Sequence, residues 1–333
     1  MSSFEQFSQL KDLGTQDINL AIALVPDSER VIVGTSSGLL REINFADEKP
    51  AAVDFSAGHS SYITGVAWTS GGVVSGGYDR QLIWWDVNTR SPLRTVPAHD
   101  KWIRRVVANP EGSLVVSIAD DMHCKVWDAA SGELRFTLDD HQAETPNHYP
   151  SMLYAAAFSA DGKWLATGDK VGHVAIWNVA TGEKAGELES TGMYTWDPRQ
   201  RRHSIGGIRS LAFSHDGATL AVGGIGHIGN IDHLDGAARV ELFDWQSGKS
   251  LVELADNQMK GLVEQLVFSA DNRWLLTAGG DHSGFLTVYD LSTKKIAKQE
   301  KAHQHLHGVT SNSSGERWFT AHHGRVVMWS VGA

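Results

Sequence analysis

Residues 58–86 read GHSSYITGVAWTSGGVVSGGYDRQLIWWD, and residues 98–128 repeat the plan as AHDKWIRRVVANPEGSLVVSIADDMHCKVWD. Each opens on a small residue and a His, passes through short apolar runs, and closes on Trp-Asp. The closing residues Trp85 and Trp127 are 42 positions apart. Apolar runs of about six residues between turn signals, without sustained i, i+3, i+4 periodicity, read as strands. Working outward, the ending recurs in VAIWNVATGEK, VELFDWQSGKS, LTVYDLSTKK and VVMWSVGA, at Trp177, Phe243, Tyr289 and Trp329. A weaker copy, GLLREINF, ends at Phe45. Upstream of the endings, LYAAAFSADGKWLATG, IRSLAFSHDGATLAVGG and VEQLVFSADNRWLLTAGG each give strand, tight turn and strand, the pattern of a β-hairpin. The sequence is all-β and internally repeated.

Composition narrows the function classes. The 333 residues include 34 glycines and 12 tryptophans, and 39 acidic against 29 basic residues give a formal net charge of −10. That balance argues against a duplex nucleic-acid partner. No stretch approaches the ~18 apolar residues of a membrane-spanning helix. The start, MSSFEQFSQLKDLG, lacks the basic segment and apolar run of a secretory signal. The single Cys124 excludes an intrachain disulfide framework and a cysteine-rich zinc site. A cytoplasmic monomer without cofactor is expected.

A ~40–45-residue period with a G-H or A-H opening and a W-D ending resembles the WD40 repeat, in which four strands make one blade of a β-propeller. Seven units are counted, roughly 15–50, 51–95, 96–139, 140–188, 189–254, 255–298 and 299–333. The last lacks one strand, which residues 7–13 are expected to supply, removing an exposed sheet edge. The resemblance implies a seven-bladed propeller of four-stranded antiparallel blades. It also implies a buried hydrogen-bonded set in some blades: His59, Ser75, Asp79 and Trp85 in one, His99, Ser117, Asp121 and Trp127 in the next. A Ser/His/Asp set otherwise suggests a hydrolase triad. Here it is expected to be structural, since satisfied buried networks rigidify a core. The remaining units read as degenerate, with Tyr149 or His148, Ser204 or His203, and Thr277 lacking a His.

In such propellers the d–a and b–c connections share one face, called the top. The a–b turns (NPEGS, SADGK, SHDGA, SADNR) and the c–d turns (AASGE, VATGE, WQSGK, LSTKK) are all short. The long connections, 140–152, 189–207 and 223–238, are expected on the top face, and long loops on a rigid scaffold are usually functional or disordered. Candidate partner-binding residues there are Tyr194, Trp196, Arg201, Arg202, His227 and His233; the two aromatics could instead be loop anchors. Residues leading into the innermost strands, Tyr62, Trp102, Arg104, Tyr154, Arg209 and Glu264, are candidates by resemblance to peptide-binding propellers. Aromatic and Arg residues are also common interface anchors.

Catalytic motifs fail on context. Gly34–Gly38, GTSSG, spells a nucleophile elbow, but a second strand follows where a helix is required. Gly224, Gly226 and Gly229 spell G-x-G-x-x-G with no helix behind them to hold a pyrophosphate. His227, Asp232 and His233, with His203 or His148, have the chemistry to ligate a divalent ion. The chain has 16 histidines, however, so loop histidines are partly background. The expected function is a non-catalytic scaffold binding a protein or peptide on the top face. The alternative is a small-ligand or metal site built from the enlarged loops.

Overall fold

The short apolar runs form strands because tight turns with the right backbone geometry separate them. In the a–b turns Gly112, Gly162 and Gly217 take φ of 67°, 69° and 73°, a region a Cβ disfavours. Asn272 fills the same slot of SADNR at φ 57°, which Asn tolerates better than most residues. The computed structural model describes residues 3–56, 58–145, 147–197, 203–230 and 233–332. Its fold is an all-β propeller with four-stranded antiparallel blades.

Six large sheets stand where the sequence predicts seven. Five have four strands in sequential order, beginning with Ile63–Thr69, Gly72–Gly77, Gln81–Asp86 and Ser91–Pro97. The sixth has six strands, because two of its members are long. Ser3–Leu24 runs 22 residues and Arg317–Gly332 runs 16. The start of Ser3–Leu24 pairs with the C-terminal strand, Phe7 opposite Val331 and Leu13 opposite Val326. Its end pairs with Arg30–Thr35, Ile22 opposite Val33 and Leu24 opposite Val31. One continuous strand therefore joins two sets of strands into a single sheet.

Residues 189–207, read from sequence as a loop, contain ordered structure. A 3-10 turn, Thr191–Met193, leads into Tyr194–Asp197, which pairs antiparallel with His203–Gly206 in a two-stranded sheet. The β-favouring residues Tyr194, Thr195 and Trp196 supply its first strand. That 3-10 turn is the only helical element among the described residues, and no helix there is long and apolar enough to cross a membrane.

The chain divides into two compact units: 1–121 with 125–135 and 306–333, and 122–124 with 136–305. In the first, Ile32, Leu40, Ile63, Val73, Ile83 and Trp85 build one core cluster. A Cβ on Gly65 would fall 2.3 Å from the amide nitrogen of Val106, so only glycine permits this strand approach. In the second unit, Val174, Ile176, Ile208, Leu220 and Trp245 belong to one cluster, and Val240, Leu254, Val263, Leu275 and Phe285 to another.

Candidate functional site

Each polar set expected in the first unit is assembled around a strand hydroxyl. Trp85 Nε1–H donates to Ser75 Oγ at 2.8 Å, Ser75 Oγ lies 2.7 Å from His59 Nε2, and His59 Nδ1 lies 2.9 Å from Asp79. The neutral tautomer that satisfies all three carries its proton on Nδ1 and donates it to the carboxylate. Burial pushes the Asp79 carboxyl up, but hydrogen bonds from His59, Ser60 and Gln81 outweigh that and hold it below the usual range. His99, Ser117, Asp121 and Trp127 repeat the arrangement, with distances of 2.9 Å for Trp–Ser, 2.7 Å for Ser–His and 3.0 Å for His–Asp. Ser75 and Ser117 are fully buried, with no access for a substrate.

A third network corrects the reading that the later units are degenerate. His141 meets Asp169 at 2.9 Å and Thr167 at 2.9 Å, and Trp177 Nε1–H donates to Thr167 at 3.0 Å. Neither Tyr149 nor His148 takes the role. The Asp lies two positions after the hydroxyl residue instead of four, and the 140–152 segment separates His141 from its strand. A fourth variant places the His within the strand itself. Thr320 lies 2.7 Å from His322 Nε2 and accepts from Trp329 Nε1–H at 2.8 Å.

The residues leading into the inner strands of the first unit form an aromatic stack. Tyr62 and Tyr78 are 5.4 Å apart between ring centroids at 21°, and Tyr78 and Trp102 are 4.5 Å apart at 7°. Arg104 spans the stack, 5.1 Å from the Tyr78 centroid and 5.5 Å from that of Trp102, a cation–π arrangement. It donates to the Tyr78 hydroxyl at 2.6 Å and makes a two-pronged pair with Asp120 at 2.7 and 2.6 Å. Tyr62 and Trp102 are nevertheless 45% and 50% exposed. Two large aromatic rings are thus held in fixed orientation with much of their area in solvent. Sequence reasoning missed Tyr78 and Asp120, which follow strand ends and share the position just before the network Asp in their repeats; that shared position was the available signal.

In the second unit the enlarged connections pack on one another. Ile205 and Leu234 join Ile225, Ile228 and Leu262 in a small apolar cluster. Thr195 Oγ1 accepts from the Ile228 amide at 3.2 Å, and Trp196 stacks on Tyr149 at 5.5 Å. The 191–193 turn is pinned where Ser190 donates to Glu241 at 2.8 Å, with Glu241 also bound to Arg239 at 2.7 Å. Tyr194 and Trp196 are half-buried anchors of this assembly. His227 and His233 are exposed. His233, Leu234, Asp235, Lys260, Asp281, His282 and Ser283 line a pocket of ≈ 340 Å³. Glu264 lies 3.6 Å from His305 Nε2, and Arg209 stacks on Tyr154 at 4.0 Å. Arg201, Arg202 and Asp232 lie outside the described residues.

Among the described residues, His227 and His233 join no group of three potential ligands close enough to share an ion. Within the second unit, Asp140, His173 and Glu187 do. Lys184 already places an ammonium between its carboxylates, 2.8 Å from Asp140 and 2.5 Å from Glu187. Burial opposes charge on His173, but Asp140 and Glu189 raise its pKa above the ordinary 6.5. The catalytic motifs keep their strand context. Ser36 lies between Arg30–Thr35 and Leu40–Asn44 and accepts from the Ile18 amide, while Gly224 is within Thr219–Ile225 and no helix follows among the described residues before Ala237–Asp244.

Blades with His–Ser/Thr–Asp–Trp networks define the class as a WD40-type propeller. The WD40 family (WD domain, G-beta repeat) matches residues 52–86, 90–128 and 133–178, so the chain carries WD40 repeats. It is 27% identical over 277 residues to telomerase protein component 1 of Mus musculus, covering 80% of this chain and 9% of that protein. It is 27% identical to WD repeat-containing protein SL1-17 of Schistosoma mansoni, covering 67% of this chain and 63% of the relative. For eukaryotic translation initiation factor 3 subunit I of Lodderomyces elongisporus the identity is 28%, covering 65% of this chain and 55% of the relative. The chain thus spans less than two thirds of the length of each of these relatives. WD40 propellers generally serve as protein-interaction scaffolds.

Proposed function

We propose that the protein is a non-catalytic scaffold that binds a protein or peptide on the top face, at the residues leading into the inner strands. The carrying observation is the Tyr62–Tyr78–Trp102 stack. Two of its rings are about half exposed, and Arg104 and Asp120 fix them in place. Rigid aromatic area bound to a partner costs little side-chain entropy, which is why such residues anchor interfaces. Two relatives bear names describing parts of assemblies, a telomerase component and an initiation-factor subunit, in keeping with this reading. We further read the six-stranded sheet as two blades sharing the bent strand Ser3–Leu24, which makes seven. A turn at Gly324, with φ 66°, would split Arg317–Gly332 into two strands of the last blade. The proposed location is the cytoplasm, the proposed state a monomer.

The test is paired affinity capture from the native host, comparing wild type with Trp102→Ala. Loss of a specific stoichiometric partner, with the melting temperature retained, supports the reading. A partner set unchanged by Trp102→Ala and Tyr62→Ala overturns it. The ≈ 340 Å³ pocket favours a second reading, a small-ligand site on the enlarged loops. Metal analysis and metabolite thermal-shift screening of untagged protein test it; no stoichiometric metal and no shift would remove it.

A further inference from the structure

Arginines in this acidic protein are mostly matched to carboxylates. Arg30, Arg41, Arg90, Arg104 and Arg239 each meet an Asp or Glu within 3.0 Å. Among the described residues Arg80, Arg94 and Arg209 have no such partner, but Arg80 and Arg94 are exposed whereas Arg209 is partly buried. Its guanidinium lies 4.0 Å from the Tyr154 ring centroid, and its one side-chain hydrogen bond goes to its neighbour's carbonyl, Ile208 O, at 3.2 Å. Among the described residues no carboxylate pairs with it. The side chain is only partly exposed, so its charge is partly desolvated without a compensating anion.

The backbone leading into Arg209 is tightly constrained. Gly206 and Gly207 take φ of 84° and 97°, and the Arg209 amide donates to Gly223 O at 2.8 Å. A Cβ on Gly207 would fall 2.4 Å from the Lys170 carbonyl oxygen and 2.8 Å from Lys170 Cγ. Gly207 is therefore closed against the Lys170 backbone, where a side chain would not fit. The guanidinium lies over the Tyr154 ring, and apart from the Nη1 bond to Ile208 O its remaining donors are available to a two-oxygen anion.

We infer that Arg209, over the Tyr154 ring, is a binding site for an oxyanion, a carboxylate or phosphate carried by the partner. This rests on the scaffold reading above for its biological use, but the site can be tested without the natural partner. The probes are fluorescent hexapeptides of glutamate, of glutamine, and of glutamine with one central phosphoserine. Each is titrated at low salt into wild type, Arg209→Gln and Arg209→Lys, with melting curves confirming the fold. Binding by the glutamate or the phosphoserine peptide, with the glutamine peptide inert, is expected, and the stronger of the two identifies the source. Arg209→Gln should weaken it roughly tenfold or more, and Arg209→Lys should recover only part, because an ammonium lacks the planar fork.

Absence of binding by both anionic peptides, or binding unchanged in folded Arg209→Gln, overturns the inference. The two readings fail separately. A captured partner lost on Trp102→Ala but kept on Arg209→Gln, with no anion binding, leaves the scaffold standing and removes the anion site. Anion binding that depends on Arg209, with capture indifferent to Trp102, does the reverse.

Discussion

Arg104 and Asp120 are joined at both prongs, Nε to Oδ1 at 2.7 Å and Nη2 to Oδ2 at 2.6 Å, and the pair holds the guanidinium across Tyr78 and Trp102. Both side chains are largely buried, so removing one partner leaves the other charge poorly solvated. Asp120→Ala should therefore loosen the stack without touching a ring. The expected result is partner capture weakened as in Trp102→Ala, with a stability loss of roughly 1–3 kcal/mol. Capture at wild-type strength would show that Asp120 does not position the surface.

The buried networks give a sharper stability test. Ser75→Ala removes the hydroxyl that accepts from Trp85 and lies against His59, leaving two buried ring nitrogens short of a partner. Urea denaturation should show a loss of about 1–3 kcal/mol, and His141→Ala should lose a similar amount. The same midpoint for His141→Ala and wild type would mean that the third network contributes nothing.

These networks also mark what a sequence can show. Trp85, Trp127 and Trp177 and the hairpins before them were legible because strand pairing imposes a short, repeated apolar pattern. The His59 and His99 sets were legible because both keep four positions from Ser to Asp and six from Asp to Trp. The His141 set was not, since an insertion and a displaced Asp change the spacing while three-dimensional convergence is preserved. Blade count failed to carry over for another reason. Ser3–Leu24 runs as one strand that faces the C-terminal strand up to Ile18 and Arg30–Thr35 from Asn19, and the register shift after Gly14 does not end it. Of the candidate surface, the exposed Tyr62 and Trp102 were found, but Tyr78 and Asp120 hold them through contacts that no local pattern encodes.

The N-terminal strand should act as a latch. Phe7 stacks on Trp329 with centroids 5.0 Å apart, Lys11 Nζ donates to Phe45 O at 2.7 Å, and Asp12 meets Arg325 at 2.6 Å. Deleting residues 1–14 removes these together and bares the edge of the C-terminal strand. A melting temperature lower by several degrees or more is expected, with increased aggregation. Phe7→Ala alone should cost about 3 kcal/mol or more, as for other buried aromatics. A deletion that melts with the full chain would refute the latch.

His173 predicts how stability depends on pH. It lies 2.6 Å from Asp140 and 2.7 Å from Glu189, tying the segment after Leu134–Asp139 to the sheet that carries it. Glu187 and Asp169 also favour its charged form, and Lys184, bonded to Asp140, opposes it. The folded pKa is raised above 6.5, so the folded state holds the proton more tightly than the unfolded chain. The stabilisation is complete below the unfolded value and is lost as pH rises through the folded one. Wild type should therefore exceed His173→Gln in melting temperature by more at about pH 6 than at about pH 9. Protection against hydrogen exchange in residues 140–145, after correction for the base-catalysed intrinsic rate, should fall over the same interval. A difference between the two proteins that stays constant with pH would mean that His173 is neutral in the folded protein and that the tether is not ionic.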